Sequence, residues 1–523
     1  MGLPGGWHAV GGWVRPERPP DAAQAGVADA FAHKRDADAP STAGNPQHTE
    51  NACGPCKTCN PSNTGKPYDP VLPLLCLALM TPSSAVAPTH PMLPAAFSWQ
   101  GGALCCEGVP LSTIAQTYGT PVYVYAERAI AEAYQGFTQG QNPAQLQVCY
   151  AVKANPSLGI IRLLAQQGAG FDIVSQGELQ RVLAAGGDPR RVVFSGVGKT
   201  EAELRFALSV GVGCINVESL HEMQALGLLA ADMGLRAPIS VRINPDIDAQ
   251  THPYISTGLK ENKFGLGLTQ ALEAYKIAQG LPGLEIIGVD CHIGSQITSL
   301  APFLAATDRV LAFADALAEM GIPLAHIDLG GGLGVCYHDE TPPQPSALIQ
   351  ALTERVAAWA SQRARPMPKL VFEFGRALVG NAGVLLSQVT LLKPGAEAAD
   401  RHFAVVDAAM NDLMRPSLYG AWHEVIPLHR RPSATAQARV WDLVGPICES
   451  GDWLAKGRPL SLAPGDLLAF ASAGAYGSAM GSQYNSRLRP PEVLVRTDGR
   501  VQLLRRRDRF EDLILTEQIP DDL

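Results

Sequence analysis

Positive charge is in short supply in this chain. Its 523 residues carry 41 Lys and Arg against 49 Asp and Glu, a formal net charge of −8 at pH 7, with a pI near 5.9. No global positive field exists to hold DNA, RNA or an anionic membrane, so neither nucleic acid nor membrane is an expected partner. Long hydrophobic runs are also missing. Mean hydropathy is only +0.04, and the longest apolar stretches fall well short of the ~20 residues a membrane helix needs. Cysteine is sparse, 11 in all, and beyond Cys59 occurs singly apart from the adjacent Cys105 and Cys106. That spacing suits a reducing compartment, and hence the cytoplasm, better than a disulfide framework. A hydrophobic fraction of 46% excludes a wholly disordered chain, and the length leaves room for roughly two to four domains.

Residues 1–90 differ from the rest. They are crowded with Gly, Pro, Ala, Asp, Ser, Thr and Asn and lack apolar periodicity, so a disordered leader is expected. Cys53, Cys56 and Cys59 form a CxxCxxC run, but no fourth cysteine follows at cluster spacing and no metal is expected. The apolar run Val71–Met80 contains Pro73 and has no basic flank, so it reads as neither signal nor anchor. A folded protein starting near Met92 is a third reading of the same composition step.

Order begins after that step. Pro110–Tyr118 is helix-like, and Thr120–Tyr125 (TPVYVY) has the β-branched and aromatic character of a strand. Short apolar runs then alternate with longer Ala- and Leu-rich helical patterns. The candidate strands are Leu146–Val152, Gly170–Val174, Arg191–Phe194, Cys214–Val217, Ile239–Ile243, Ile286–His292, Ala325–Leu329 and Leu370–Phe374. Such alternation predicts an α/β fold, a (β/α)8 TIM-type barrel in preference to an open doubly wound sheet. Polar or glycine residues stand just after the strands: Lys153, Ser175, Gly196, Glu218, Asn244, Ser295, Gly330–Gly332 and Arg376. Barrel active sites are built at these carboxyl ends. From about 386 onward the runs shorten, as in Phe403–Val406, Ala438–Val444 and Leu467–Phe470, and a mostly β C-terminal domain is expected. The division is then a leader at 1–90, an entry segment at 91–125 whose strand joins either domain, a barrel at 126–385 and a β domain at 386–523.

Lys153, in the segment YAVKAN, follows a buried strand and faces the barrel mouth, where desolvation is expected to lower its pKa toward that of a usable nucleophile. A solvated surface lysine is the ordinary alternative. Asp328 precedes Gly330, Gly331, Gly332 and Gly334, a run in which backbone N–H groups can approach an anion, although a tight turn uses glycine too. Glu373 lies on the last strand with Gly375 and Arg376 just beyond. A buried Glu needs a cationic partner, and the plainest alternative is that Glu373 and Arg376 pair with each other. His292 and Ser295 stand at another strand end, and Cys448 lies in the β region in GPICESGD. A strand-end lysine, a phosphate-type glycine run and a strand-end carboxylate in one barrel together suggest pyridoxal 5'-phosphate (PLP).

The ordered motifs YAVKAN (150–155), FDIVSQGEL (171–179), HPYISTG (252–258), KFG (263–265), HIGSQ (292–296), DLGGGLGV (328–335), EFGR (373–376), DAAMNDLMRPSLYGAWH (407–423), GPICESGD (445–452), GAYGSAM (474–480) and YNSR (484–487) resemble those of the diaminopimelate decarboxylases, within the barrel-type PLP-dependent decarboxylases. The resemblance runs from about Pro94 to Leu515. It implies that Lys153 carries PLP and that His292 stacks on its ring. It assigns the phosphate to Ser295, Gly331, Gly332 and Tyr476, with Gly375 and Arg376 also against the cofactor, and the pyridine nitrogen to Glu373. Arg376, Arg415, Tyr419, Glu449 and Tyr476 would hold the substrate, and Cys448 would protonate its α-carbon. In the family the positions of Cys448 and Glu449 reach into a partner's active site, which implies a homodimer. Phe374 and Ala409 depart from the EPGR and DAGMN forms usual in the family, and altered local backbone is expected there.

The implied reaction is PLP-dependent decarboxylation of meso-2,6-diaminopimelate, at its D-configured end, to L-lysine and CO2, the last step of lysine biosynthesis. Two guanidinium groups suit two carboxylates, and Glu449 suits a distal ammonium. Decarboxylases of ornithine, lysine or arginine remain the alternative, with Arg415 the discriminating residue because their substrates lack a distal carboxylate. A non-catalytic PLP-binding regulatory relative is a further alternative, which the presence of Lys153, Cys448 and Glu449 disfavours.

Overall fold

Eight strands between residues 146 and 374 are buried along most of their length, as strands covered on both faces by helices must be. We label only these, in chain order: β1 (Leu146–Ala151), β2 (Gly170–Ile173), β3 (Val192–Phe194), β4 (Cys214–Val217), β5 (Ala237–Asn244), β6 (Leu284–Cys291), β7 (His326–Asp328) and β8 (Lys369–Phe374). Each pairs in parallel with the next, and β8 returns to β1 through Leu370↔Leu146 to Phe374↔Tyr150. The sheet is therefore closed, and the expected barrel is the observed one. The computed structural model describes residue 90 and residues 92–248, 263–397, 400–429 and 438–522. The leader features at Cys53–Cys59 and Val71–Met80 and the HPYISTG motif lie outside the described residues.

Helices alternate with the strands, and local chemistry sets where they begin. Helix Glu201–Val210 starts at Thr200, whose hydroxyl accepts the Glu203 N–H while the Glu203 carboxylate takes the Thr200 N–H. This reciprocal cap satisfies two amides that the first turn leaves open. Ser175 accepts from the Glu178 N–H in the same way. Its position after β2 thus serves helix initiation. After β8 only the four-residue helix Arg376–Val379 follows. The ring is completed instead by helix Glu127–Thr138, which packs on helices Leu158–Gln166 and Pro345–Gln362 from before β1.

The second sheet is built on the long strand Gly383–Lys393, which pairs antiparallel with Val122–Ala126, His402–Val406 and Leu467–Phe470. Glu492–Val495 runs parallel to Val122–Ala126 on its other side. The early strand left open by its sequence therefore joins the β sheet. Its tyrosines are fully buried, with the Tyr125 hydroxyl donating to Glu492 at 2.7 Å. Among the described residues no helix is long and apolar enough to cross a membrane.

Candidate active site

The chain leaves β1 through a 3-10 turn, Val152–Ala154, that carries Lys153. The lysine ammonium pairs with the Asp172 carboxylate, which projects from the neighbouring strand β2 and is fully buried. Burial opposes the charge on Lys153, but the Asp172 and Glu373 carboxylates outweigh it and raise its pKa. This corrects the expected lowering: desolvation is present, and two carboxylates across the mouth reverse it.

Beyond β7 the glycine run folds back against its neighbours. A side-chain carbon on Gly331 would lie 2.0 Å from the Glu373 carbonyl oxygen, and one on Gly332, at φ +105°, would lie 2.3 Å from that of Gly294. Only glycine fits either position. The Gly331 N–H donates to His292 Nδ1 at 3.1 Å, which leaves the imidazole hydrogen of a neutral His292 on Nε2. Burial, with Arg242 and Lys153 adding to it, keeps the His292 pKa well down, so the ring is neutral. Ser295, three residues on, accepts from Arg376 Nη2 at 3.0 Å.

Glu373 and Arg376 do not pair with each other. Glu373 Oε1 accepts from the Ser195 hydroxyl at 3.0 Å, and Ser195 accepts from Asn216 at 3.0 Å. Carboxyl oxygens of Asp290, Asp328 and Glu373 lie within 4.8 Å of one another, all buried. Burial and then mutual repulsion, with Asp172 contributing, push Glu373 and Asp328 well up. Asp290 is raised to about 7, chiefly by burial, against the pull of Arg242. Glu373 is thus a buried acid without an ion pair among the described residues, and Lys153, a cation that acts on it, is already paired with Asp172.

Arg376 is also buried. Its Nη1 donates to the Tyr337 hydroxyl at 2.7 Å, and its guanidinium carbon stands 4.9 Å from the Tyr476 ring centre. Tyr476 adopts φ +56°, uncommon for a tyrosine, and its N–H donates to the Ala154 carbonyl beside Lys153. Gly375 packs within reach of Ala151 and Ala154, where a side chain would meet the Ala154 methyl at 2.9 Å. The end of β8 therefore abuts the lysine turn. Arg415 opens the short helix Arg415–Tyr419 and lies 4.4 Å from the Tyr337 ring centre, with Arg376 5.8 Å from the same ring. Tyr419 belongs to the same electrostatic group. Among the described residues no Asp or Glu forms an ion pair with Arg376 or Arg415. Two buried cations without a counter-ion make an anion site.

Cys448 and Glu449 stand elsewhere. Both are exposed, in the loop between strands Arg439–Val444 and Trp453–Leu460. Asp452 shapes that loop by accepting from the N–H groups of Met410 and Ile447. The Cys448 N–H donates to Asn485, and Glu449 bonds Tyr484. Among the described residues neither is hydrogen-bonded or ion-paired to Lys153, Glu373, Arg376 or Arg415.

Residues 127–380 match the model of the pyridoxal-dependent decarboxylase, pyridoxal binding domain. The diaminopimelate decarboxylase of Vibrio cholerae serotype O1 is 51% identical over 425 residues, covering 81% of this chain and 99% of that protein. The chain belongs to the diaminopimelate decarboxylase family. The Pseudomonas aeruginosa member is 54% identical over 424 residues, covering 81% of this chain and 99% of its own. The crystal structure of diaminopimelate decarboxylase from Helicobacter pylori complexed with L-lysine superposes with a TM-score of 0.72 at 40% identity, covering 78% of this chain and 99% of that one.

PLP is the cofactor of this family's barrel, and the site fits it on three counts. The Gly330–Gly332 turn has no side chain to stand between its backbone and a bound anion, a lysine amine stands at the mouth, and the buried Glu373 carboxyl forms no ion pair among the described residues. Four residues at the mouth have no counterpart in the sequence-based expectations: Asp172, Ser195, Tyr337 and His423. Asp172 is signalled by a lone acid inside the apolar strand FDI, and His423 ends a family motif. Ser195 directly follows the candidate strand Arg191–Phe194 and so carries the strand-end signal, whereas Tyr337 carries none, because only barrel closure brings it to the site. Of the two departures, Phe374 continues the β8 ladder opposite Tyr150 and stacks on Phe137 with ring centres 4.1 Å apart. Ala409 is buried, and its N–H donates to Asp412 at 3.0 Å.

Proposed function

We propose that the protein removes CO2 from meso-2,6-diaminopimelate to leave L-lysine, with Lys153 as the residue that carries PLP. The activity is that of the family. The observation that supports the substrate in this chain is the pair of buried guanidiniums, Arg376 and Arg415, set about Tyr337 without a counter-ion among the described residues. A substrate with two carboxylates neutralises both, whereas ornithine or lysine has no second carboxylate to offer the reacting complex.

PLP, when bound, supplies a sink for the electron pair left on the α-carbon as the C–CO2 bond breaks. The protein does the rest. Glu373 holds a proton at the ring nitrogen, and the Ser195 hydroxyl keeps that carboxyl oriented. Gly331, Gly332, Gly375, Ser295, Arg376 and Tyr476 would hold the PLP phosphate. His292, held neutral, would offer an uncharged face to the cofactor ring. Arg376, Arg415, Tyr419 and Tyr476 orient the substrate. Cys448 of the partner subunit gives its thiol proton to the α-carbon and is reprotonated from solvent, and Glu449 of the partner subunit takes the distal ammonium. The exposure of both residues on their own protomer supports this shared site and with it a homodimer. We also place the enzyme in the cytoplasm, since a free thiol at Cys448 suits a reducing compartment, and take 1–90, 91–125, 126–385 and 386–523 as its working divisions, with Val122–Ala126 given to the β domain.

The test is CO2 release and lysine formation from meso-diaminopimelate, run beside ornithine and lysine. Turnover of diaminopimelate alone is expected. Release of CO2 from ornithine or lysine, with none from diaminopimelate, would overturn the substrate, and no release from any would support a regulatory relative.

A further inference from the structure

Among the described residues the Arg415 side chain makes one hydrogen bond, from its Nη1 to His423 Nε2 at 2.9 Å. Guanidinium has donors only, so His423 Nε2 must present a lone pair. The ring hydrogen then sits on Nδ1, 2.8 Å from the Ala471 carbonyl oxygen, which accepts it. Two independent partners thus select the same tautomer. His423 is fully buried, and burial followed by the Arg415 charge keeps its pKa down at about 3, so it stays a neutral acceptor. The remaining N–H groups of Arg415 have no hydrogen-bond partner among the described residues. Its guanidinium carbon lies 4.4 Å from the centre of the Tyr337 ring, and that ring meets His423 edge-on with centres 5.4 Å apart. Tyr337 also accepts from Arg376, so one side chain stands between two like charges that would otherwise push apart.

We infer that His423, with Tyr337 beneath, is a positioning residue that aims Arg415 at the substrate's distal carboxylate and so sets the enzyme's preference for a dicarboxylate. The inference rests on the diaminopimelate reading above. His423 ties down one N–H of the guanidinium and the Tyr337 ring lies against it, which leaves the remaining N–H groups for a carboxylate. Because the His423 tie acts on Arg415 alone, its loss weakens binding of the distal end and leaves the reacting end untouched.

His423→Asn keeps an amide in the place of Nδ1, able to donate to Ala471, but falls one methylene short of Arg415. His423→Gln reaches Arg415 with an acceptor oxygen and gives up the bond to Ala471. The ligands compared are meso-diaminopimelate and D-lysine, the same molecule without the distal carboxylate, measured on the PLP-loaded enzyme as KM and inhibition constant respectively. Hydrogen bonds to charged groups are worth about tenfold or more in binding. The Asn variant is therefore expected to raise KM for meso-diaminopimelate at least tenfold, with kcat and the D-lysine inhibition constant within about twofold. The Gln variant is expected to return KM to within about threefold of wild type. Equal weakening of both ligands, equal losses in Asn and Gln, or an unchanged KM in Asn would each overturn the inference. Thermal unfolding of the two variants guards against a folding defect, since Gln rather than Asn gives up the bond to the Ala471 backbone and a purely structural role would make Gln the poorer enzyme. Wild-type turnover of meso-diaminopimelate is the control that separates failure of this inference from failure of the substrate assignment.

Discussion

His326 gives a prediction whose size follows from the structure alone. It begins β7 with its ring packed over Gly288 of β6, where a side-chain carbon would lie 2.3 Å from Nε2, and that nitrogen is 3.0 Å from the Ser240 hydroxyl. Burial, helped by the Lys369 charge, lowers its pKa from 6.5 to about 4. In the unfolded chain the imidazole takes up a proton below about pH 6.5, while the folded protein refuses it until about pH 4. Between those values the unfolded state binds the extra proton, so stability from this group is present above 6.5 and is lost as pH falls. At about 1.4 kcal/mol per unit, moving from pH 7 to pH 5 costs about 2 kcal/mol. His326→Gln keeps a polar atom near Ser240 and cannot titrate. Urea unfolding of the PLP-loaded wild type and variant at pH 7 and pH 5 reads the effect as a double difference. The groups Asp290, Asp412 and His423 titrate identically in both proteins and drop out of it. Wild type should lose about 2 kcal/mol more than the variant. Equal losses would show that His326 is not held neutral by its site.

Three further predictions concern the mouth of the barrel. Ser195→Ala removes the donor to Glu373 and should lower kcat about tenfold with KM within about twofold, as steady-state kinetics would show. Gly331→Ala forces a methyl against the Glu373 carbonyl and should weaken PLP binding at least tenfold in equilibrium dialysis; unchanged affinity would mean that the run only turns the chain. Lys153→Ala and Cys448→Ala proteins, each inactive, should recover about a quarter of wild-type activity when refolded together as an equal mixture, because half the dimers then hold one complete site. No recovery would count against a shared site.

The barrel was legible because its signal is local. Each of the eight strands is a short apolar run whose burial on both faces is written into consecutive residues, as in Leu146–Ala151 and Cys214–Val217. Strand-end Lys153 and the Gly330–Gly332 run could be seen for the same reason. What stands beside Lys153 could not. Its pKa was expected to fall because burial was the only effect the sequence displayed; Asp172, one strand away, reverses the sign. Ser175 and Glu218 also stood at strand ends, yet one caps a helix and the other accepts the N–H groups of Gly196 and Gly265. Position at the mouth is thus a weaker guide to role than the partner each side chain finds.

Composition, periodicity and motif order determined by themselves that this chain forms a β/α barrel followed by a β region, and they carried the resemblance to the diaminopimelate decarboxylases. Tertiary structure alone decided that Val122–Ala126 joins the second sheet, that Glu373 takes Ser195 rather than Arg376, and that Arg376, Tyr337, Arg415 and His423 meet. The physical reason is that hydrophobic burial has a period readable within one element, whereas a buried charge or hydrogen bond is satisfied by whatever closure of the sheet brings within about 3 Å.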